Sequence, residues 1–87
     1  MNDLEKYRQE IEAITKEMLD LLEKRLELSK EVARYKKEHQ MPIFQPEREK
    51  QLMTDLCASR QYQEACERFL KELMDLSKAL QKEEMEK

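Results

Sequence analysis

The stretch Leu4–Lys37, LEKYRQEIEAITKEMLDLLEKRLELSKEVARYKK, holds no proline and no glycine and keeps a helical period from end to end. Its apolar residues Leu4, Tyr7, Ile11, Ile14, Met18, Leu21, Leu28, Val32 and Tyr35 recur at intervals of three and four, and Arg25 fills the one gap in the series. At about 100° per residue these positions share one helix face. Arg25 stands on the line of Leu4, Ile11, Met18 and Val32, and Lys36 lies almost on it. Two cations in an apolar stripe call for anionic partners, because an unpaired charge taken out of water is costly.

A helix of this length would reach about 50 Å at 1.5 Å per residue, longer than a compact domain of this size is wide. The chain of 87 residues makes one domain at most, so residues 1–87 are read as a single domain. Its long stripe must be covered by other chains as well as by the chain's own remaining segments, and a homodimer is expected. Charged residues make up 43% and hydrophobic ones 39%, with no glycine or tryptophan, a composition that suits long amphipathic helices. Disorder is the competing reading of such charge, and the sustained period opposes it.

The formal net charge of −3 comes with no accumulated basic face, so no nucleic acid partner is expected. Cys57 and Cys66 show no metal-ligand spacing and have only His39 for company. They read as small buried hydrophobes in a reducing compartment, with no metal site. The N-terminus carries no apolar run long enough for a signal peptide or a membrane span, which makes a cytoplasmic location without membrane attachment the expectation.

Asn2 can cap the first helix, and Glu5 three residues on completes a possible capping box. Pro42 and Pro46 break the chain after Glu38–Met41, since proline removes a backbone donor and pushes its predecessor out of the helical region. Ile43 and Phe44 between them are expected to pin the linker to the core. Pro46 suits the first position of a short second helix carrying Leu52, Met53, Leu56 and Cys57, which ends between Cys57 and Gln61 with no glycine to mark the stop. A third helix carries Cys66, Phe69, Leu70, Leu73, Leu76 and Leu80, then frays in the charged tail Lys82–Lys87. The fold class is all-α: a long, a short and a medium helix.

Arg25 and Lys36 are about 16 Å apart along the helix axis, within reach of one small ligand closed between two long side chains. Arg8, on the edge of the same face, lies about 25 Å from Arg25 and cannot reach that ligand within its own chain. In an antiparallel pair of such helices the partner's Arg8 would come near the Arg25–Lys36 region, and two equivalent sites would follow. Arg48 and Glu49 open the second helix one turn before Leu52 and Met53. Glu49 there suits the helix dipole, whereas Arg48 opposes it and so favours a specific role. Ser77 and Gln81 lie one turn apart at the edge of the third helix's stripe. For each cation the plain reading is a salt-bridged surface residue, and Arg25, flanked by apolar heptad positions, fits that reading least.

The set Arg8, Arg25, Lys36, Arg48, Glu49, Ser77 and Gln81 has an excess of fixed cation, neutral donors and one carboxylate. It has no nucleophile paired with a base and no glycine-rich phosphate loop. Such a pocket would bind and orient a small dianion with little capacity for covalent chemistry.

These residues lie in three blocks that resemble the all-helical class (type II) of chorismate mutases. They are Tyr7-Arg8-Gln9-Glu10-Ile11 with Leu21-Leu22-Glu23-Lys24-Arg25, then Val32-Ala33-Arg34-Tyr35-Lys36 with Pro42-Ile43 and Pro46-Glu47-Arg48-Glu49, and finally Ser77-Lys78-Ala79-Leu80-Gln81. The resemblance implies an intertwined homodimer of three-helix chains, a six-helix bundle, that rearranges chorismate to prephenate without a cofactor. It assigns the partner's Arg8, with Arg25 and Arg48, to the two carboxylates of the substrate, with Ser77 assisting. Lys36 and Gln81 would donate to the ether oxygen of the breaking bond, and Glu49 would accept from the ring hydroxyl. Gln45 stands where the family often has an aspartate, and the connection from Arg48 to Ser77 looks about one helical turn shorter than usual for the class.

The implied reaction is a unimolecular pericyclic shift, so the missing nucleophile and base are not needed. Positioning of the folded conformer and donors aimed at the growing charge would carry it. A millionfold acceleration asks for roughly 8 kcal/mol, which a few preorganised donors with conformer selection could supply. The expectation is a mutase without a fused dehydratase, dehydrogenase or regulatory domain. An isochorismate–pyruvate lyase of the same fold is the enzymatic rival. A non-enzymatic helical dimerisation module is the other, and it leaves Arg25 unexplained.

Overall fold

The computed structural model describes residues 2–87, which form α1 (Asp3–Glu38), α2 (Pro46–Cys57) and α3 (Gln63–Met85), with no strand among the described residues. Asn2 caps α1, its side-chain oxygen accepting the Glu5 backbone N–H at 2.8 Å. α1 ends in a Schellman turn: Gln40 takes a positive φ of 56°, Met41 N–H donates to the Lys36 carbonyl at 2.8 Å, and Gln40 N–H donates to that of Lys37. Proline opens α2. A turn of type II form closes it, with Ala58 at φ −60°, ψ 138° and Ser59 at φ 72°, and with Arg60 N–H donating to the Cys57 carbonyl. Gln40 and Ser59 thus occupy the left-handed positions that glycine would fill more easily.

α1 and α2 each pack on α3 and not on one another. The face of α1 turned to α3 is Leu22, Leu26, Ser29 and Ala33, with Ser29 and Ala33 buried and the two leucines half-buried. The long apolar stripe faces away: Leu4, Tyr7, Ile11, Ile14, Met18, Leu21, Leu28, Val32 and Tyr35 are all exposed. The chain alone is a slab of 56 × 29 × 13 Å, one helix layer deep. Its core is a small cluster of Cys57, Leu70 and Met74 between α2 and α3, lined by Leu52, Met53, Cys66 and Leu73.

Three expectations need correction. Cys57 and Cys66 are not free thiols: they are joined in a disulfide, Cα atoms 5.6 Å apart, because the turn after α2 reverses the chain and sets the first turn of α3 against the end of α2. The cysteine argument for a reducing compartment goes with them. The tail does not fray at Lys82, since helix continues to Met85. Glu84 pairs with Arg34 of α1 at 3.1 Å and the Lys37 ammonium donates to the Lys87 carbonyl at 2.9 Å, so α1 holds that end. In the linker Ile43 is half-buried, but Phe44 is exposed and carries the Lys78 ammonium 4.5 Å over its ring instead of entering the core.

Candidate functional site

A cavity of about 240 Å³ opens where α1, the linker, α2 and α3 meet, with Arg25, Lys36, Arg48, Glu49, Ser77 and Gln81 in its wall. Ser29, Val32, Gln45 and Lys78 also line it. Six of the seven residues singled out in the sequence therefore come together, although they lie on three helices. Arg8 does not join them. It is exposed on the N-terminal half of α1, beside Ile11, Glu12 and Thr15. Larger hollows of 690 and 740 Å³ run along α1, but helix-surface glutamates and lysines line them without the convergence seen here.

Arg25 reaches across to α3, where Nη1 donates to the Leu73 carbonyl at 3.3 Å and to the Ser77 hydroxyl. Ser29, one turn after Arg25, donates to the Arg25 carbonyl at 3.0 Å and lies 3.2 Å from the Ser77 hydroxyl. Both serines are buried. Among the described residues Arg25 forms no ion pair, so its charge is oriented by neutral acceptors and left uncompensated. The partner that a cation in the stripe calls for is not supplied by the chain.

Lys36 sits at the last turn of α1, its ammonium donating to the Ile43 carbonyl and to Gln81 Oε1, each at 3.0 Å. Burial holds its pKa below the ordinary lysine value, and the Glu49 carboxylate opposes that shift. Gln81 is buried, and with its oxygen taken by Lys36 its amide nitrogen is left to donate. Arg48 and Glu49 come from the first turn of α2. Arg48 is exposed at the rim, whereas Glu49 is half-buried and bonded through Oε2 to the Lys78 ammonium at 2.9 Å.

Four cations, Arg25, Lys36, Arg48 and Lys78, thus face one carboxylate, Glu49, around this cavity. The hydroxyls present bond to each other and to Arg25 rather than to a base. Sequence reasoning missed Ser29 and Lys78. Ser29 carried a faint signal, standing one turn from Arg25 on α1, but the Glu49–Lys78 pair joins two helices and leaves no local spacing to read. No group of three or more His, Cys, Asp or Glu side chains able to hold a metal occurs among the described residues. No helix among them is long and apolar enough to cross a membrane.

Residues 7–82 match the family described as chorismate mutase type II. The chain belongs to that family. It is 43% identical over 49 residues to a T-protein of Haemophilus influenzae, a match covering 56% of this chain and 13% of the relative. It is also 38% identical over 47 residues to a 4-amino-4-deoxychorismate mutase of Streptomyces venezuelae, covering 54% of this chain and 46% of that protein. A T-protein of Enterobacter agglomerans is 43% identical over 51 residues, 59% of this chain and 14% of its own length. The chain spans less than half the length of these relatives. No solved structure matches it at comparable stringency. The three helices and the absence of strands among the described residues agree with a type II chorismate mutase.

Proposed function

We infer that the protein is a chorismate mutase, with residues 1–87 forming one catalytic domain that works as a homodimer. The observation that carries this reading is the convergence of four cations, one carboxylate and the neutral Ser77 and Gln81 on a single small cavity. A compact dianion fits that charge balance.

In this reading Arg25, Arg48 and the partner's Arg8 hold the two substrate carboxylates, with Ser77 fixing the Arg25 guanidinium. Held this way, the substrate is folded so that its enol side chain lies over the ring, and proximity replaces an encounter. The ether C–O bond breaks as the new C–C bond forms within the same molecule, so nothing leaves and no proton is transferred. Charge grows on the ether oxygen, where the Lys36 ammonium and the Gln81 amide donate. Their mutual hydrogen bond sets the amide so that its nitrogen is the donor. Glu49 accepts from the ring hydroxyl and orients the ring.

The dimer is supported by the exposed stripe of α1 and by Phe69 and Leu76, equally exposed on α3. Between them lies an almost wholly apolar hollow of about 410 Å³ bordered by Met18, Leu22, Leu73 and Leu76. A surface of this kind is unusual on a monomer. A second copy would cover it and bring an Arg8 to each site.

The relative named 4-amino-4-deoxychorismate mutase points to a second candidate substrate, in which an amino group replaces the ring hydroxyl. Incubation of purified protein with chorismate, with its amino analogue and with isochorismate tests the assignment. Prephenate from chorismate is the expected product. Salicylate with pyruvate from isochorismate would instead mark a lyase, and a folded protein inert toward all of them would remove the enzymatic reading.

A further inference from the structure

Lys78 belongs to no part of the mechanism above, yet its ammonium is held from three directions. It bonds Glu49 Oε2 of α2 at 2.9 Å, approaches Asp75 Oδ1 of its own helix at 3.5 Å, and sits 4.5 Å over the Phe44 ring of the linker. Its side chain is 28% exposed, and that of Glu49 25%. The hydrogen bond that the Lys78 ammonium donates to Glu49 holds the Lys78 pKa above the ordinary lysine value. Glu49 also interacts electrostatically with Lys36, which lines the same cavity. The carboxylate assigned to the substrate's ring substituent is thus flanked by two cations, with Oε1 left for a ligand donor.

We propose that Lys78 is the specificity-determining residue of this site: by neutralising Glu49 it makes the cavity accept a neutral ring hydroxyl and reject a ring ammonium. This deepens the chorismate mutase reading and rests on it. A hydroxyl hydrogen-bonded to Glu49 adds no charge to the wall. An aliphatic amino group at the same place is protonated near neutral pH. It would add a cation beside Lys36, Arg48 and Lys78, with Glu49 the one carboxylate in the cavity wall and Asp75 behind Lys78 on α3, and like charges so close repel. Without Lys78, Glu49 would be half released from its pairing and would attract the ammonium. Specificity of this kind comes from a repulsive element as much as from an attractive one.

The test is the ratio of kcat/KM for chorismate to that for its 4-amino analogue, measured in the intact protein and in Lys78→Met, Lys78→Gln and Lys78→Arg. The intact protein is expected to favour the hydroxyl substrate. Both neutral variants should narrow the ratio about tenfold through a lower KM for the amino substrate, an effect that salt weakens because the pair is partly exposed. Lys78→Arg should keep the original ratio. A purely structural role would lower both substrates together and leave the ratio unmoved, and that result overturns the proposal, as does an intact protein that prefers the amine. Should one neutral variant not fold, the other carries the comparison. A protein inert toward both substrates would overturn the mutase reading itself, whereas an active one with an unmoved ratio would overturn only the role of Lys78.

Discussion

The Lys36 ammonium and the Gln81 amide oxygen are hydrogen-bonded at 3.0 Å, 45 residues apart in the chain, at the point where the last turn of α1 passes the end of α3. The bond does two things at once. It spends an acceptor that would otherwise lie buried, and it leaves the Gln81 amide nitrogen as a second donor beside the Lys36 ammonium, which also donates to the Ile43 carbonyl. A developing negative charge would complete the pair.

The same pair makes a pH prediction. Lys36 donates only as the ammonium, which is present below its folded pKa and lost as pH rises through it. Burial holds that pKa below the ordinary value of 10.5, against the pull of Glu49, so the alkaline fall in kcat/KM should begin earlier than an ordinary lysine would allow. Gln81 is neutral at every pH, and activity should therefore persist above about pH 6 without an acid requirement. A pH–rate profile of the intact protein and of Lys36→Arg checks this. The alkaline limb should move up in the arginine variant, and a profile that collapses above about pH 6 would contradict the assignment.

Arg25 separates the enzyme from a helical dimerisation module. Its guanidinium contacts only the Leu73 carbonyl and the Ser77 hydroxyl and forms no ion pair among the described residues. Arg25→Ala is expected to lower kcat/KM at least about a hundredfold, in line with the loss of one preorganised charged donor. Thermal stability should hold or rise, because a half-buried uncompensated charge is removed. Activity assays and thermal melts on the same preparation read both effects. Unchanged turnover with improved stability would favour the module.

How much of this could be read from the chain alone depends on whether the signal was local. Proline at positions 42 and 46, the spacing from Leu4 to Tyr35 and that from Cys66 to Leu80 mark the three helices to within a few residues, since period and breakers are local properties. The stripe so found proved to be the outer face of α1. The inner face, Leu22, Leu26, Ser29 and Ala33, mixes small and polar residues and gives no strong period, though it makes the contact with α3. Arg25 and Lys36 stood out because they interrupt an apolar series. Lys78 did not, because its partners Glu49 and Phe44 come from other segments. The Cys57–Cys66 bond was missed for a related reason: two cysteines nine positions apart carry no sign that a turn with Ser59 at positive φ will close on them.

That disulfide makes a further prediction. α2 packs on α3 alone, and the bond ties the two where the connecting turn leaves α2. Closing a loop this short stabilises by about 3 kcal/mol in the chain-entropy account. Reduction, or the double change Cys57→Ser with Cys66→Ser, should lower the melting temperature by several degrees. It should also raise KM more than it lowers kcat, because α2 carries Arg48 and Glu49. Melting curves and steady-state kinetics with and without a reductant are the check; equal behaviour of the two forms would show that α2 is held by its Leu52, Met53 and Met74 contacts alone.

In the proposed dimer each site draws Arg25 from one copy and Arg8 from the other. Prephenate formation is to be measured in a mixture of two variants, Arg8→Ala and Arg25→Ala, unfolded and refolded together in equal amounts. Each variant alone should be nearly inactive. In a heterodimer one site keeps both arginines and the other loses both, so random pairing should restore about a quarter of the intact activity. A mixture no more active than its components, or an Arg8→Ala protein with full activity by itself, would mean that no site is shared between two copies.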